Sequence, residues 1–195
     1  MPAGRPRDFD TEKALDRALL VFRKKGYEGA SLADLTKAMG INRPSLYAAF
    51  GNKEDLFRKA LDRYVGQVSC FIHTALNQKT AREVVEKLLF GLADAQTDPR
   101  YPQGCLTITG GLACGEEAEP IRKELMNRRA GTEIALCDRL KRAKSEGDLP
   151  ASANPADLAR YIATVIQGMS VQAASGASRK ELRRVAELTL QAWPA

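Results

Sequence analysis

The sequence predicts an all-α chain, an N-terminal three-helix unit with a helix-turn-helix followed by a larger helical domain. Three observations carry that reading. Apolar residues recur at helical spacing from about residue 11 to the C-terminus, and no segment alternates apolar and polar residues as a half-buried strand would. Breaks between the periodic stretches fall at Gly, Pro and Asn. A chain of 195 residues with 44% apolar side chains can fill one sizeable core or support a small domain docked on a larger one.

The first helix is expected over residues 11–25, where Leu15, Ala18, Leu19 and Phe22 lie on one stripe and Gly26 offers a C-cap. Ser31 and Asp34 have capping-box spacing, which starts the next helix at residue 32. Its inner face is Leu32, Leu35, Ala38 and Met39, and Gly40 supplies the positive φ of the turn that follows. Ile41 plugs the space between the two helices, Asn42 caps the second, and Pro44 falls in a first turn where its missing N–H costs nothing. Leu46 and Phe50, four apart, face inward. Arg43, Ser45 and Tyr47 then project outward from the opening turns, as side chains do on a helix that enters a DNA major groove. Residues 31–50 are thus read as a helix-turn-helix.

Asn52 caps a long helix expected from residue 53 towards 78, bearing Leu56, Phe57, Ala60, Leu61 and Tyr64, then Val68 and Phe71. Such a helix joins the small unit to the rest of the chain. Further helices are expected over 80–98, 105–113, 120–145, 155–174 and 179–193, the last two opened by capping-box spacing at Asn154 with Asp157 and at Ser178 with Glu181. The segment holding Gly110 and Gly111 has low helix preference and is a place where packing can adjust. The expected division is an arm over 1–8, a DNA-binding domain over 9–65 and a helical domain over 66–195.

The stretch GYEGASLADLTKAMGINRPSLYAAFGNKEDLF resembles the N-terminal domain of the TetR family of transcriptional regulators, through the Gly26-Tyr27 corner, the Leu46-Tyr47 pair, Phe50 and the Lys53-Glu54 helix start. The resemblance implies that Tyr47 and Lys53 contact phosphates, that Asn42, Arg43, Pro44 and Ser45 sit nearest the bases, and that Ser31 belongs to the same surface. Ala49 stands where family members often carry His, so one backbone contact is expected to be missing. It also implies a homodimer through the last two helices, at about 155–174 and 179–193, and a cavity for a small inducer. Phe71, His73, Cys105, Cys114 and Met126 are the candidate lining residues, with plain core or surface as the competing reading of each. The function implied is a ligand-responsive repressor on a palindromic double-stranded DNA operator.

Charge and chemistry agree without deciding. The net charge is +6, and residues 1–65 hold 13 Lys or Arg against 9 Asp or Glu, so most of the surplus sits around the proposed DNA-binding unit. Arg5 and Arg7 flank a proline in an arm that either reaches a minor groove or stays solvated. Cys70, Cys105, Cys114 and Cys137 form no CxxC pair, and His73 is the only histidine, which argues against a zinc site and a disulfide scaffold. Cys105 and Cys114, nine apart on one expected helix, fall on opposite faces and are read as small apolar residues, with a thiol sensor as the alternative. No catalytic triad order, phosphate loop or cofactor motif is present, so no enzyme and no cofactor are expected. The opening lacks an apolar signal segment, and a cytoplasmic protein is expected. A helical interaction protein that keeps the shell without binding an operator is the rival reading.

Overall fold

The computed structural model describes residues 9–111 and 115–194, so the arm with Arg5 and Arg7, and Cys114, lie outside the described residues. Helix α1 (Thr11–Gly29) opens at Asp10, whose Oδ1 accepts from the Glu12 and Lys13 backbone N–H groups. At Gly26 the backbone takes φ 69° and ψ −177°, and the helix kinks there before ending. The expected stop is therefore a kink.

Helix α2 (Leu32–Met39) begins with the reciprocal box: Ser31 Oγ accepts from the Asp34 N–H at 3.1 Å, and Asp34 Oδ2 accepts from the Ser31 N–H at 3.1 Å. It ends on Gly40 at φ 71°, whose N–H returns to the Thr36 carbonyl. Helix α3 (Arg43–Phe50) is capped by Asn42, and α4 (Lys53–Leu76) by a second box between Asn52 and Asp55. The termini fall where local side chains satisfy otherwise orphaned N–H groups.

Then come α5 (Ala81–Gln96), a short α6 (Leu106–Thr109), α7 (Glu119–Ser145), α8 (Pro155–Ala174) and α9 (Arg179–Gln191), with no strand among the described residues. Two expectations are corrected. The helix expected over 105–113 spans only four residues, because Gly110 and Gly111 follow it and the Gly110 carbonyl accepts from the Tyr27 N–H of α1 at 3.0 Å. The argument that Cys105 and Cys114 share a helix falls with it. Asn154 accepts from the Ala156 N–H at 3.0 Å, so α8 has a simple cap instead of a box with Asp157. At α9 the Ser178–Glu181 box is present.

Two cores result. In the first, α1 to α4 bury Phe22, Leu35, Leu46, Leu56, Phe57 and Leu61 completely. Phe22 and Phe57 meet edge to face with centroids 5.0 Å apart, a geometry worth about 0.5–1.5 kcal/mol beyond burial. Leu106, Ile121 and Leu125, from α6 and α7, complete this same core. The second core joins Val84, Val85 and Leu89 of α5 to Leu140, Ile162 and Ala186. Buried Arg139 closes the far end of α4, donating through Nε to the Leu76 carbonyl and through Nη2 to those of Gln78 and Lys79 at 2.9–3.0 Å.

Helix α4 runs through both. Leu56 to Leu61 belong to the first core and Ala75 to the second, so one continuous helix of 24 residues links them. No helix among the described residues is long and apolar enough to cross a membrane.

Candidate DNA interface and ligand cavity

The exposed face of α3 follows from how its other face is buried. Leu46 at 0% and Phe50 at 4% exposure lock it onto α2 and α4, which leaves Arg43, Pro44, Tyr47 and Ala48 in solvent. Tyr47 is 48% exposed. Ser45 is half-buried and its N–H is taken by Asn42 Oδ1 at 2.9 Å, so the Asn42 carbonyl oxygen is committed to the cap. Ser31 is likewise committed, its Oγ donating to Asp34 Oδ2 at 2.7 Å. The Lys25 ammonium, 2.7 Å from Asp34, and the Ser31 hydroxyl hold the Asp34 carboxyl down to about 2.

Lys53 is the first residue of α4, and its Nζ stands 4.5 Å from the centroid of the Tyr27 ring. That places a positioned cation at a helix N-terminus, where the backbone dipole also favours an anion. Arg43, Tyr47 and Lys53 thus lie on consecutive, tightly capped helices of one small body. Such an arrangement suits a phosphate backbone and adjacent base edges.

The second site is a cavity of about 320 Å³, open on one side and lined by α4 to α8. Val65, Val68 and Ile72 of α4, Leu88 and Leu92 of α5, and Ile166 of α8 give it an apolar wall. Tyr64, Gln96, Cys105, Thr107 and Arg129 supply polar groups. Burial pushes the Tyr64 phenol well above its ordinary value, so it stays neutral and its hydroxyl donates to Cys105 Sγ at 3.3 Å. Cys105 Sγ is also 3.1 Å from Thr107 Oγ1, and Arg129 Nη1 donates to the Thr107 carbonyl at 2.5 Å.

Of the residues anticipated for this cavity, Cys105 lies in its wall and His73 at its exposed rim, where Asn77 contacts the imidazole. Phe71 packs elsewhere: its ring sits so close to Gly91 that a Cβ there would come within 2.2 Å of Phe71 Cζ. Met126 is 48% exposed and lines no part of the cavity, while Cys114 lies outside the described residues. Gln96 and Arg129 were not anticipated, because neither departs from ordinary helical patterning. No group of three or more His, Cys, Asp or Glu side chains among the described residues could hold a metal.

The two sites touch through α6. Cys105, Thr107 and Ile108 face the cavity, and two residues after Ile108 the Gly110 carbonyl accepts from the N–H of Tyr27, the residue on whose ring Lys53 rests. A Cβ on Gly26 would meet that same carbonyl oxygen at 3.3 Å. Arg23 adds a second tie between α1 and the body, donating to the Pro102 carbonyl at 2.8 Å between the rings of Tyr64 and Tyr101.

Comparison with known proteins finds matches for both halves of the chain. Residues 14–60 match the family model for bacterial regulatory proteins of the tetR family, and residues 82–189 match a tetracyclin repressor-like C-terminal domain. The chain is 36% identical to the HTH-type transcriptional repressor ComR of Escherichia coli strain K12, over 98% of this chain and 92% of that protein. It is 31% identical to the repressor BdcR of the same strain, over 97% and 91%. Among solved structures, a cysteine mutant of the TetR family regulator CifR complexed with 26-bp double-strand operator DNA superimposes with a TM-score of 0.94, at 44% identity, covering 98% of this chain and 100% of that one. Matched along nearly its whole length in sequence and in shape, this chain belongs to the TetR family of transcriptional regulators.

Proposed function

We propose that the protein is a DNA-binding transcriptional repressor that reads a palindromic operator as a homodimer and releases it when a small inducer fills the cavity. The observation that carries this is the near-identical architecture of a relative solved on operator DNA, taken with the exposed Arg43, Tyr47 and Lys53 surface. Arg43 and Pro44 read base edges, Tyr47 and Lys53 grip phosphates, and Ser31, Asn42 and Ser45 hold the helix starts that present them.

Dimerisation has its own support. Tyr161 at 42%, Gly168 and Val171 at 39% form an exposed stripe on α8, and Val185 at 40% and Leu188 at 50% form another on α9. Their spacing keeps each set on one helix face, and glycine lets a second helix approach closely. A two-fold dimer meets two half-sites about 34–36 Å apart, multiplying two modest contacts.

Selection of duplexes from a random-sequence pool by the full-length protein, at near-physiological salt, tests the proposal. An inverted repeat is the expected product. No enrichment, from protein that light scattering shows to be dimeric, overturns operator reading; Leu188→Glu is expected to shift the light-scattering mass towards the monomer and to abolish cooperative binding to the repeat.

A further inference from the structure

Most polar groups around the cavity are already satisfied. Tyr64 and Cys105 bond each other, Arg128 pairs with Asp62 and Glu124, and Glu133 pairs with Arg160 at 2.7 Å. Gln167, half-buried in the wall, makes no side-chain hydrogen bond and stays open to solvent, and two further groups are left over. Arg129 has no carboxylate partner among the described residues, only the neutral Thr107 carbonyl, and burial lowers its pKa from the ordinary guanidinium value. Gln96 is 4% exposed, and its Oε1 is buried without any hydrogen-bond partner.

Buried polar atoms in folded proteins are nearly always paired, and an unpaired one inside a cavity marks what a ligand brings. An uncompensated guanidinium asks for an anion, with planar geometry suited to a carboxylate. An orphan carbonyl oxygen asks for a donor. The Gly104 N–H bonds the Gln96 backbone carbonyl at 3.0 Å, so Gln96 adjoins the segment that enters Cys105 and α6, on which Arg129 also rests. The remainder of the wall is aliphatic, and about 320 Å³ lies at the small end of ligand pockets.

The geometry points to a small amphipathic carboxylic acid as the cavity ligand, its carboxylate paired with Arg129, a hydroxyl or N–H donated to Gln96, and an apolar body against Val68, Leu88, Leu92 and Ile166. This rests on the reading of the cavity as the inducer site. It also assigns a trigger: a carboxylate on Arg129 competes with the Thr107 carbonyl, and so loosens α6, whose end holds Tyr27 through Gly110.

The test is calorimetric titration of the full-length protein with para-coumarate, cinnamate and octanoate, each against its primary amide. At least one acid is expected to bind about tenfold or more tightly than its amide, the worth of one charge-assisted hydrogen bond. Arg129→Met is expected to erase that preference and Arg129→Lys to retain most of it, while Gln96→Leu erases the advantage of para-coumarate over cinnamate. Amides that bind as well as acids, a preference that survives Arg129→Met, or no binding by any probe each overturns the proposal. Binding undiminished by the double substitution Leu92→Trp and Ile166→Trp, which narrows the cavity from two walls, overturns the site. Acid binding that obeys all these rules and leaves the operator complex intact overturns the inducer reading alone.

Discussion

The two halves of α4 sit in the same helix and in opposite kinds of packing. From Leu56 to Leu61 its inner face is fully buried against aromatic rings, whereas from Tyr64 to Leu76 it borders empty volume, a four-residue α6 and an orphan amide. Under the proposed function, the contrast separates two tasks. A reading surface has to keep Arg43, Tyr47 and Lys53 in fixed relation, and dense packing does that. A sensing surface needs alternatives close in free energy, and a body with unfilled space and unsatisfied groups has them.

The largest expected effect attacks the dense half. Phe57→Ala removes a fully buried ring that contacts both Phe22 and Tyr27, and is expected to cost about 3–5 kcal/mol in denaturant unfolding. Leu92→Ala, at a side chain already beside the cavity, is expected to cost clearly less. Equal losses would erase the distinction between the halves.

Next comes the seam between them. Gly26→Ala forces a side chain into a backbone region open in practice only to glycine and pushes it towards Gly110, for an expected loss of about 1–3 kcal/mol. Operator affinity is expected to fall further than stability alone explains, which parallel melting and binding isotherms would reveal. Smaller still is the effect of removing individual contacts from the reading surface. Lys53→Ala is expected to weaken all duplexes alike and to reduce the slope of affinity against salt by about one, while Arg43→Ala also relaxes base preference.

The smallest effect is in acid. Asp34 has its folded pKa lowered to about 2 by Lys25 and Ser31, so its contribution is present above the unfolded carboxylate range and is lost as pH falls towards 2. Asp34→Asn is therefore expected to flatten the dependence of the melting temperature on pH between about 4 and 2.

The sequence was most legible where structure is made locally. Ser31, Gly40, Asn42, Asn52 and Ser178 act within a few residues of themselves, and the helices they bound begin or end as their chemistry dictates. Legibility failed where a distant segment decides. The helix expected over 105–113 stops at Thr109 beside two glycines, with the next carbonyl engaged by Tyr27, more than eighty residues back in the chain. Asp157 has the spacing of a box without the reciprocal bond, since Asn154 already bonds one residue earlier. Cavities are harder still. Gln96 and Arg129 look like ordinary helix residues until five helices surround them, and Phe71 looks like a lining residue until Gly91 gives its ring a seat.

Leu106, Ile121 and Leu125 give the DNA-binding half a property of its own for engineering. These residues lie far beyond residue 65 in the chain, yet they fill the core of the first four helices. A reading head cut off after α4 would carry a hole in that core, and a chimera that set it on a foreign body would inherit the same gap. To redirect such a repressor to a new operator, the graft has to be the face of α3, with the scaffold beneath it left in place.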